Sequence, residues 1–193
     1  MVYGKENPLE EKELLLNLQE GDKTAFRQFF NRYQQLVFNV CYRMCDSREV
    51  AEDITQDVFI KAFQSIANFR GDAKLSTWLY RITVNTCLKN QNRKKLNRIV
   101  SLDFLLKEEE STYSIFDSES PEQKLEKTET EQIVRCAIQK LSARQKTAVV
   151  LHRYENLSYE EIARVMAISI PAVESLLHRA KENLSEKLKK ILG

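Results

Sequence analysis

A chain of 193 residues that is 42% hydrophobic, 30% charged and carries a net charge of only +2 can bury one or two ordinary cores, yet its composition excludes several functions. The four glycines, Gly4, Gly21, Gly71 and Gly193, are isolated and make no phosphate cradle, and the two histidines, His152 and His178, supply neither a metal set nor an acid–base pair, so no catalytic residue, metal or cofactor is expected and the protein is read as no enzyme. No apolar run is long enough to span a bilayer and the N-terminal MVYGKENPLEEKE is acidic, so the expectation is a cytoplasmic protein without membrane insertion.

In chain order, Leu9 to Glu20 reads as a short helix with Leu14, Leu15 and Leu18 on its apolar face, ended by Gly21. Asp22 caps a long helix in which Phe26, Phe29, Phe30, Tyr33, Val37, Phe38 and Val40 recur at helical spacing, giving an aromatic-rich core. Asp46 and Glu49 form a cap-like pair opening a third helix, of about five turns. Val50, Ala51, Ile54 and Val58 make one of its faces. Glu49, Glu52, Asp53 and Gln56, at i, i+3, i+4 and i+7, make the other, with Asp57 alongside. Such a stripe is ordinarily a solvated face. Its like charges repel with little basic relief nearby, which favours a basic partner. Cys41 and Cys45 stand one turn apart, but nothing nearby completes a set of four ligands. Cys41, Cys45, Cys87 and Cys136 are expected as buried free thiols.

The stretch FRGDAKLSTWLYRITVNTCLKNQNRKKLNRI, from Phe69 to Ile99, has no acidic residue between Asp72 and Asp103, while Lys74, Arg81, Lys89, Arg93, Lys94, Lys95 and Arg98 are positive. Phe69, Trp78 and Tyr80 are interleaved with that charge, as are Asn85, Asn90 and Asn92. Aromatic faces beside a positive track suit single-stranded nucleic acid, where each stacked base contributes about 1–3 kcal/mol. Trp78, Leu79 and Ile82 are expected to pack inward instead.

Residues 100–120 carry one basic and six acidic side chains, between a first part (1–99) with 16 and 12 and a last part (121–193) with 13 and 10. They read as a linker, although Phe104, Leu105, Leu106, Ile115 and Phe116 are too apolar for a purely solvated tether. Ser120, Pro121 and Gln123 start a helix reaching to about Lys140, and Ser142 and Gln145 cap the next, to about Tyr154. Leu157 to Leu184 then holds two amphipathic helices. Ser158 and Glu161 form a capping box, and Ile162, Ala163, Val165 and Met166 are the apolar positions. Ser169 caps the second helix, with Pro171 in its first turn and a stripe of Ile170, Val173, Leu177, Ala180 and Leu184. Ala167 to Ser169 allow only a tight turn, which predicts a helix-turn-helix whose second helix reads DNA. The face of Pro171, Ala172, Ser175, His178 and Arg179 is small, polar or basic, as groove entry requires. Arg179 and Lys181 can hold phosphates, and Glu174 would repel them. A helical hairpin that only packs is the other reading. The fold class is therefore all-α: two small helical bundles, residues 1–99 and 121–193, joined by a flexible linker at 100–120, the C-terminal one containing the helix-turn-helix.

Together, GDKTAFRQFFNRY, AEDITQDVFIKAF and FRGDAKLSTWLYRITVN in the first part, and LSARQKTAVVLHRYENLSYEEIARVM with LLHRAKENL in the last, resemble regions 2 and 4 of the extracytoplasmic function sigma factors over nearly the whole chain. The resemblance implies an alternative sigma factor that directs core RNA polymerase to specific promoters and helps melt the minus-ten element. Glu49, Glu52, Asp53, Gln56 and Asp57 would dock on the polymerase. Phe69, Arg70, Lys74, Ser76, Thr77, Tyr80, Arg81, Asn85 and Lys89 would hold the unpaired minus-ten strand. Ser169, Pro171, Ala172, Ser175, His178 and Arg179 would read the minus-thirty-five duplex. An anti-sigma factor is a further implied partner. The chain departs from the family pattern at Ala167, where glycine is common in the turn, and at Pro171, Glu174 and Leu176, where many members carry Gly, Lys and Arg. Two rivals stand beside this reading. One is a helix-turn-helix regulator that binds duplex DNA without joining polymerase, since LSARQ…LSYEEIA…IS is also similar to quorum-sensing and response regulators. The other is a helical adaptor that binds protein only, against which the acid-free segment argues.

Overall fold

The computed structural model describes residues 8–45, 47–104 and 129–192 and, among these, contains helices and no strands. The first bundle comprises α1 (Pro8–Gln19), α2 (Lys23–Met44), α3 (Arg48–Ser65), a 3-10 turn (Ile66–Asn68) and α4 (Leu75–Phe104). The second comprises α5 (Glu129–Gln139), α6 (Ala143–Val149) running into a π turn (Val150–Tyr154), α7 (Tyr159–Met166) and α8 (Ile170–Leu192).

The caps follow from side-chain chemistry. Asp22 Oδ1 accepts the Thr24 N–H at 2.6 Å after Gly21 has turned the chain at φ +80°. At α3 the cap is Ser47, whose hydroxyl accepts the Val50 N–H at 3.2 Å; the expected cap Asp46 lies outside the described residues. Ser142 with Gln145, and Ser158 with Glu161, close both halves of their capping boxes. The start expected at Ser120–Gln123 lies outside the described residues. So does the linker, except that α4 runs through its first five positions to Phe104.

The first core forms where α2 buries Phe29, Tyr33, Leu36, Val37, Val40, Cys41 and Met44 against Ala51, Ile54, Val58, Phe59 and Ala62 of α3 and Leu75, Leu79, Val84 and Cys87 of α4. Burying one such Leu or Ile stabilises the fold by about 1.5–3 kcal/mol. Trp78 and Ile82 lie half-buried against this core, as expected. The Cys41 and Cys87 sulfurs are 3.8 Å apart. Hydrogen bonds with Cys41 and Cys45, together with burial, hold the Cys87 thiol well above its usual range, so it stays protonated and inert. Cys136 departs from the expectation: it is exposed.

The two bundles do not stand apart. α4 packs against α6 and α7, and the end of α2 meets the π turn, so one apolar core continues from Leu14 to Val173.

Candidate nucleic-acid interface

The turn between α7 and α8 is tight because Ala167 adopts the left-handed conformation, φ 53°, ψ 49°. Its N–H and that of Ile168 return to the Ala163 carbonyl, the latter at 3.1 Å, the bond pattern that ends a helix in a left-handed residue. Ser169 then caps α8, its hydroxyl accepting the Ala172 N–H at 3.4 Å. Val173 and Ala180 are fully buried and Leu177 partly so, whereas Ile170, expected to begin the stripe, is 39% exposed. The face proposed to read DNA is open: Ser169, Pro171, His178 and Arg179 are exposed, and Ala172 and Ser175 half-exposed. His178 Nε2 lies 3.6 Å from Glu182, which offsets part of the positive field when the imidazole is protonated. The far half of α8 is pinned by Asn183, which donates to Gln145 at 3.3 Å, and by Lys187, which donates to the Lys140 carbonyl at 2.9 Å.

At the start of α4, the Glu11 carboxylate accepts the Leu75 N–H at 2.6 Å, satisfying one of the helix's free N-terminal donors. From there Arg70, Lys74, Arg81, Asn85 and Lys89 project into solvent. The other members of the expected strand-binding set are covered in this conformation. Phe69 packs on Trp78 with ring centroids 5.0 Å apart, and its carbonyl accepts from Gln19 at 2.7 Å. Thr77 is buried and Ser76 half-buried. Tyr80 is only 4% exposed, and its hydroxyl donates to Glu155 Oε2 at 2.9 Å. Burial pushes the Glu155 carboxyl pKa up; the Tyr80 bond and the Arg43 charge work against that shift.

On α3, Glu49, Glu52, Asp53, Gln56 and Asp57 are all exposed. Arg48 Nε pairs with Glu52 at 2.9 Å, basic relief that the stripe was expected to lack. The stripe continues into apolar surface. Ile60 and Phe63, one heptad beyond Asp53 and Gln56, are 55% and 54% exposed, and neighbouring Phe30, packed 4.7 Å from Phe59, is 37% exposed. Sequence reasoning assigned Phe30 to the core and passed over Ile60 and Phe63. The available signal was that the acidic stripe, extended by seven residues, meets large apolar side chains. Among the described residues no His, Cys, Asp and Glu cluster could hold a metal, and no helix is long and apolar enough to cross a membrane.

Two family models match the chain in the same order as the two bundles: sigma-70 region 2 over residues 29–96 and sigma-70 region 4 over residues 131–184. The RNA polymerase sigma-H factor of Pseudomonas aeruginosa is 35% identical over 95% of this chain and 96% of its own length. The ECF RNA polymerase sigma-E factor of Haemophilus influenzae is 36% identical over 95% and 98%. Among solved structures, the sigma factor RpoE of Bartonella quintana in complex with the anti-sigma factor NepR aligns with a TM-score of 0.63 at 25% identity, covering 85% of this chain and 96% of that one. With both regions present in sequence and in fold, the chain belongs to the extracytoplasmic function family of RNA polymerase sigma factors.

Proposed function

We propose a division of labour along the chain. The first bundle, to about residue 99, docks on core RNA polymerase and traps the melted minus-ten strand; the second, from about residue 121, reads the minus-thirty-five duplex. The observation that carries the docking half is the exposed face of α3, where Glu52, Asp53, Gln56 and Asp57 run into Ile60 and Phe63. An apolar centre with a charged rim is the anatomy of a protein interface, and its large side chains are the ones on which binding energy concentrates. Its partner should be basic and partly apolar.

Strand opening needs no chemistry from this chain. The exposed Arg70, Lys74, Arg81 and Lys89 hold phosphates of paired and unpaired DNA alike; the aromatic rings of the same segment, once uncovered, stack on unpaired bases alone and so favour the melted strand. The polymerase makes the phosphodiester bond, and the sigma factor contributes no catalytic group. The place of action is the cytoplasm, where core polymerase resides. An anti-sigma factor is a further partner by likeness to the Bartonella quintana protein, which was solved bound to one.

The test is reconstitution. Purified chain added to core polymerase should produce initiation at defined positions, and replacing Asp53 and Gln56 with Lys should weaken core binding while leaving the thermal midpoint within about a degree, because exposed charges contribute little to folding. Core affinity unchanged by both substitutions would refute the docking half.

A further inference from the structure

The loop between the 3-10 turn and α4 opens a 30-residue helix with a residue that cannot cap it. Lys74 stands immediately before the helix, its carbonyl accepting the Trp78 N–H at 3.1 Å, and an ammonium side chain has no oxygen with which to accept a backbone N–H. The acceptor comes from 64 residues earlier in the chain: Glu11 on α1, whose Oε1 takes the Leu75 N–H at 2.6 Å. Its negative charge also suits the positive end of the α4 dipole.

Two more residues of α1 meet the same loop. One turn after Glu11, the Leu15 Cδ2 lies 3.5 Å from where a Cβ on Gly71 would stand, and Gly71 takes φ +70°, a conformation glycine adopts without strain. One turn further, Gln19 Nε2 donates to the Phe69 carbonyl at 2.7 Å and reaches the Ile66 carbonyl at 3.5 Å. Residues at i, i+4 and i+8 form one ridge of a helix, so a single ridge touches the loop at its end, its middle and its beginning. The neighbouring Leu14 and Leu18 are buried in the first core and anchor that ridge. Between the anchored points Arg70, Asp72 and Lys74 are exposed. Stability alone would be served more directly by Ser or Asp at position 74, a cap local to the helix. Lysine there keeps a cation on the exposed side of the loop and leaves the capping to α1.

We propose that the Glu11–Leu15–Gln19 ridge is a splint: its members are positioning residues that fix the shape of the loop Phe69–Leu75 before DNA arrives, so that the loop selects among the bases of the unpaired minus-ten strand instead of only holding its phosphates. Phosphate attraction tolerates a loose loop, whereas discrimination between bases needs short contacts in a fixed geometry. A loop already in its binding shape also loses no freedom on binding. The splint rests on the reading of this loop as a strand contact, and the experiment separates the two.

Holoenzyme assembled from core polymerase and the full chain is offered a pool of fork templates, duplex upstream and single-stranded over a randomised minus-ten segment, and the retained strands are sequenced. Wild type should enrich a defined set of segments. Glu11→Ala combined with Gln19→Ala should lower the enrichment of that set over the pool average by about tenfold if the freed loop takes the binding shape one-tenth of the time. Affinity for core polymerase should be unchanged, and the pool-average affinity for the fork, set by the cations, should not fall. Glu11→Gln keeps an oxygen that can accept the Leu75 N–H and should retain most of the selection. A ridge that served only the fold would lower the thermal midpoint and leave selection, read well below that midpoint, as in wild type; this result overturns the splint. Equal loss in Glu11→Gln and Glu11→Ala overturns it as well, because charge and not position would then be the cause. Gln19→Ala alone leaves the α4 cap in place and carries the test should the double variant not fold: selection undiminished in it refutes the proposal. A wild type that enriches no segment removes the strand reading and the splint together, whereas equal enrichment by wild type and variants removes the splint alone.

Discussion

Ala167→Gly should stabilise this protein, the reverse of what glycine does in the interior of a helix and in keeping with its preference for the left-handed residue that ends one. Ala167 sits at φ 53°, ψ 49°, where its Cβ crowds the following carbonyl at a cost of about 1–2 kcal/mol that glycine does not incur. Against that stands the extra backbone freedom glycine confers on the unfolded chain, about 0.4–1 kcal/mol. The residue is exposed, so loss of its methyl removes little buried area. The bonds that shape the turn are made by backbone N–H groups to the Ala163 carbonyl and survive the change. The net gain is about 0.5–1 kcal/mol, which for a chain of this size raises the thermal midpoint by about 1–4 °C. Asn156→Gly is the internal control: Asn156 is the other non-glycine residue at positive φ among those described, but asparagine adopts this conformation more readily, so its gain should be smaller. Calorimetry or circular dichroism on the three proteins is the assay. A lower midpoint for Ala167→Gly than for wild type would mean that the turn is not left-handed in solution, and the strain argument would fail with it.

Replacing Ile60 and Phe63 together with Ala should weaken core polymerase binding by about 2 kcal/mol or more if they are the centre of the docking face, with helical content by circular dichroism unchanged; equal affinity places the docking face elsewhere. Arg179→Ala should lower affinity by a similar factor on all upstream elements if it holds phosphate, or by about 1–3 kcal/mol at one base pair if it reads a base edge, which a panel of single-base promoter variants separates. The pH dependence turns on Glu155. A carboxyl pKa raised in the folded chain means that the folded state takes up the proton first, so the ionised carboxylate weighs against folding at neutral pH and that burden lifts as pH falls through the raised value. Glu155→Gln should therefore gain stability over wild type at pH 7 and lose that advantage as pH approaches and passes the ordinary carboxylate range, measured as the difference between two urea titrations at each pH.

The helices were legible because their signals are local. Asp22, the two capping boxes, and the apolar spacing of α2 and α7 each lie within a few residues of the structure they specify, and the helix-turn-helix follows from two caps eleven residues apart. The misses are of another kind. Ile170 and Phe30 lie on apolar stripes, yet they are 39% and 37% exposed, so periodicity assigns a face without saying that the face is covered. Cys136 was taken as buried on residue type alone, and type does not fix which side of α5 meets the core. The shift of the α3 cap from Asp46 to Ser47 reflects two adjacent residues of nearly equal capping strength.

The docking of one bundle on the other is beyond any local signal, and its geometry gives α7 a particular position. This eight-residue helix packs on α4 of the first bundle and on α8 of its own. Its N-terminal turn carries Glu155 to Tyr80, and its C-terminal turn, through Ala167, sets the angle at which the reading helix leaves. Both turns contain a non-glycine residue at positive φ. A helix of about two turns has too few hydrogen bonds to hold its own conformation in water, so α7 takes its order from the neighbours on either side. If α4 is drawn away when the second bundle engages DNA, α8 and the Ser158–Glu161 capping box at the start of α7 are what remain to hold the helix. The box then matters more than it does while α4 is packed. Substituting Ser158 or Glu161 should in that case cost activity in the assembled holoenzyme out of proportion to its effect on the midpoint of the free protein.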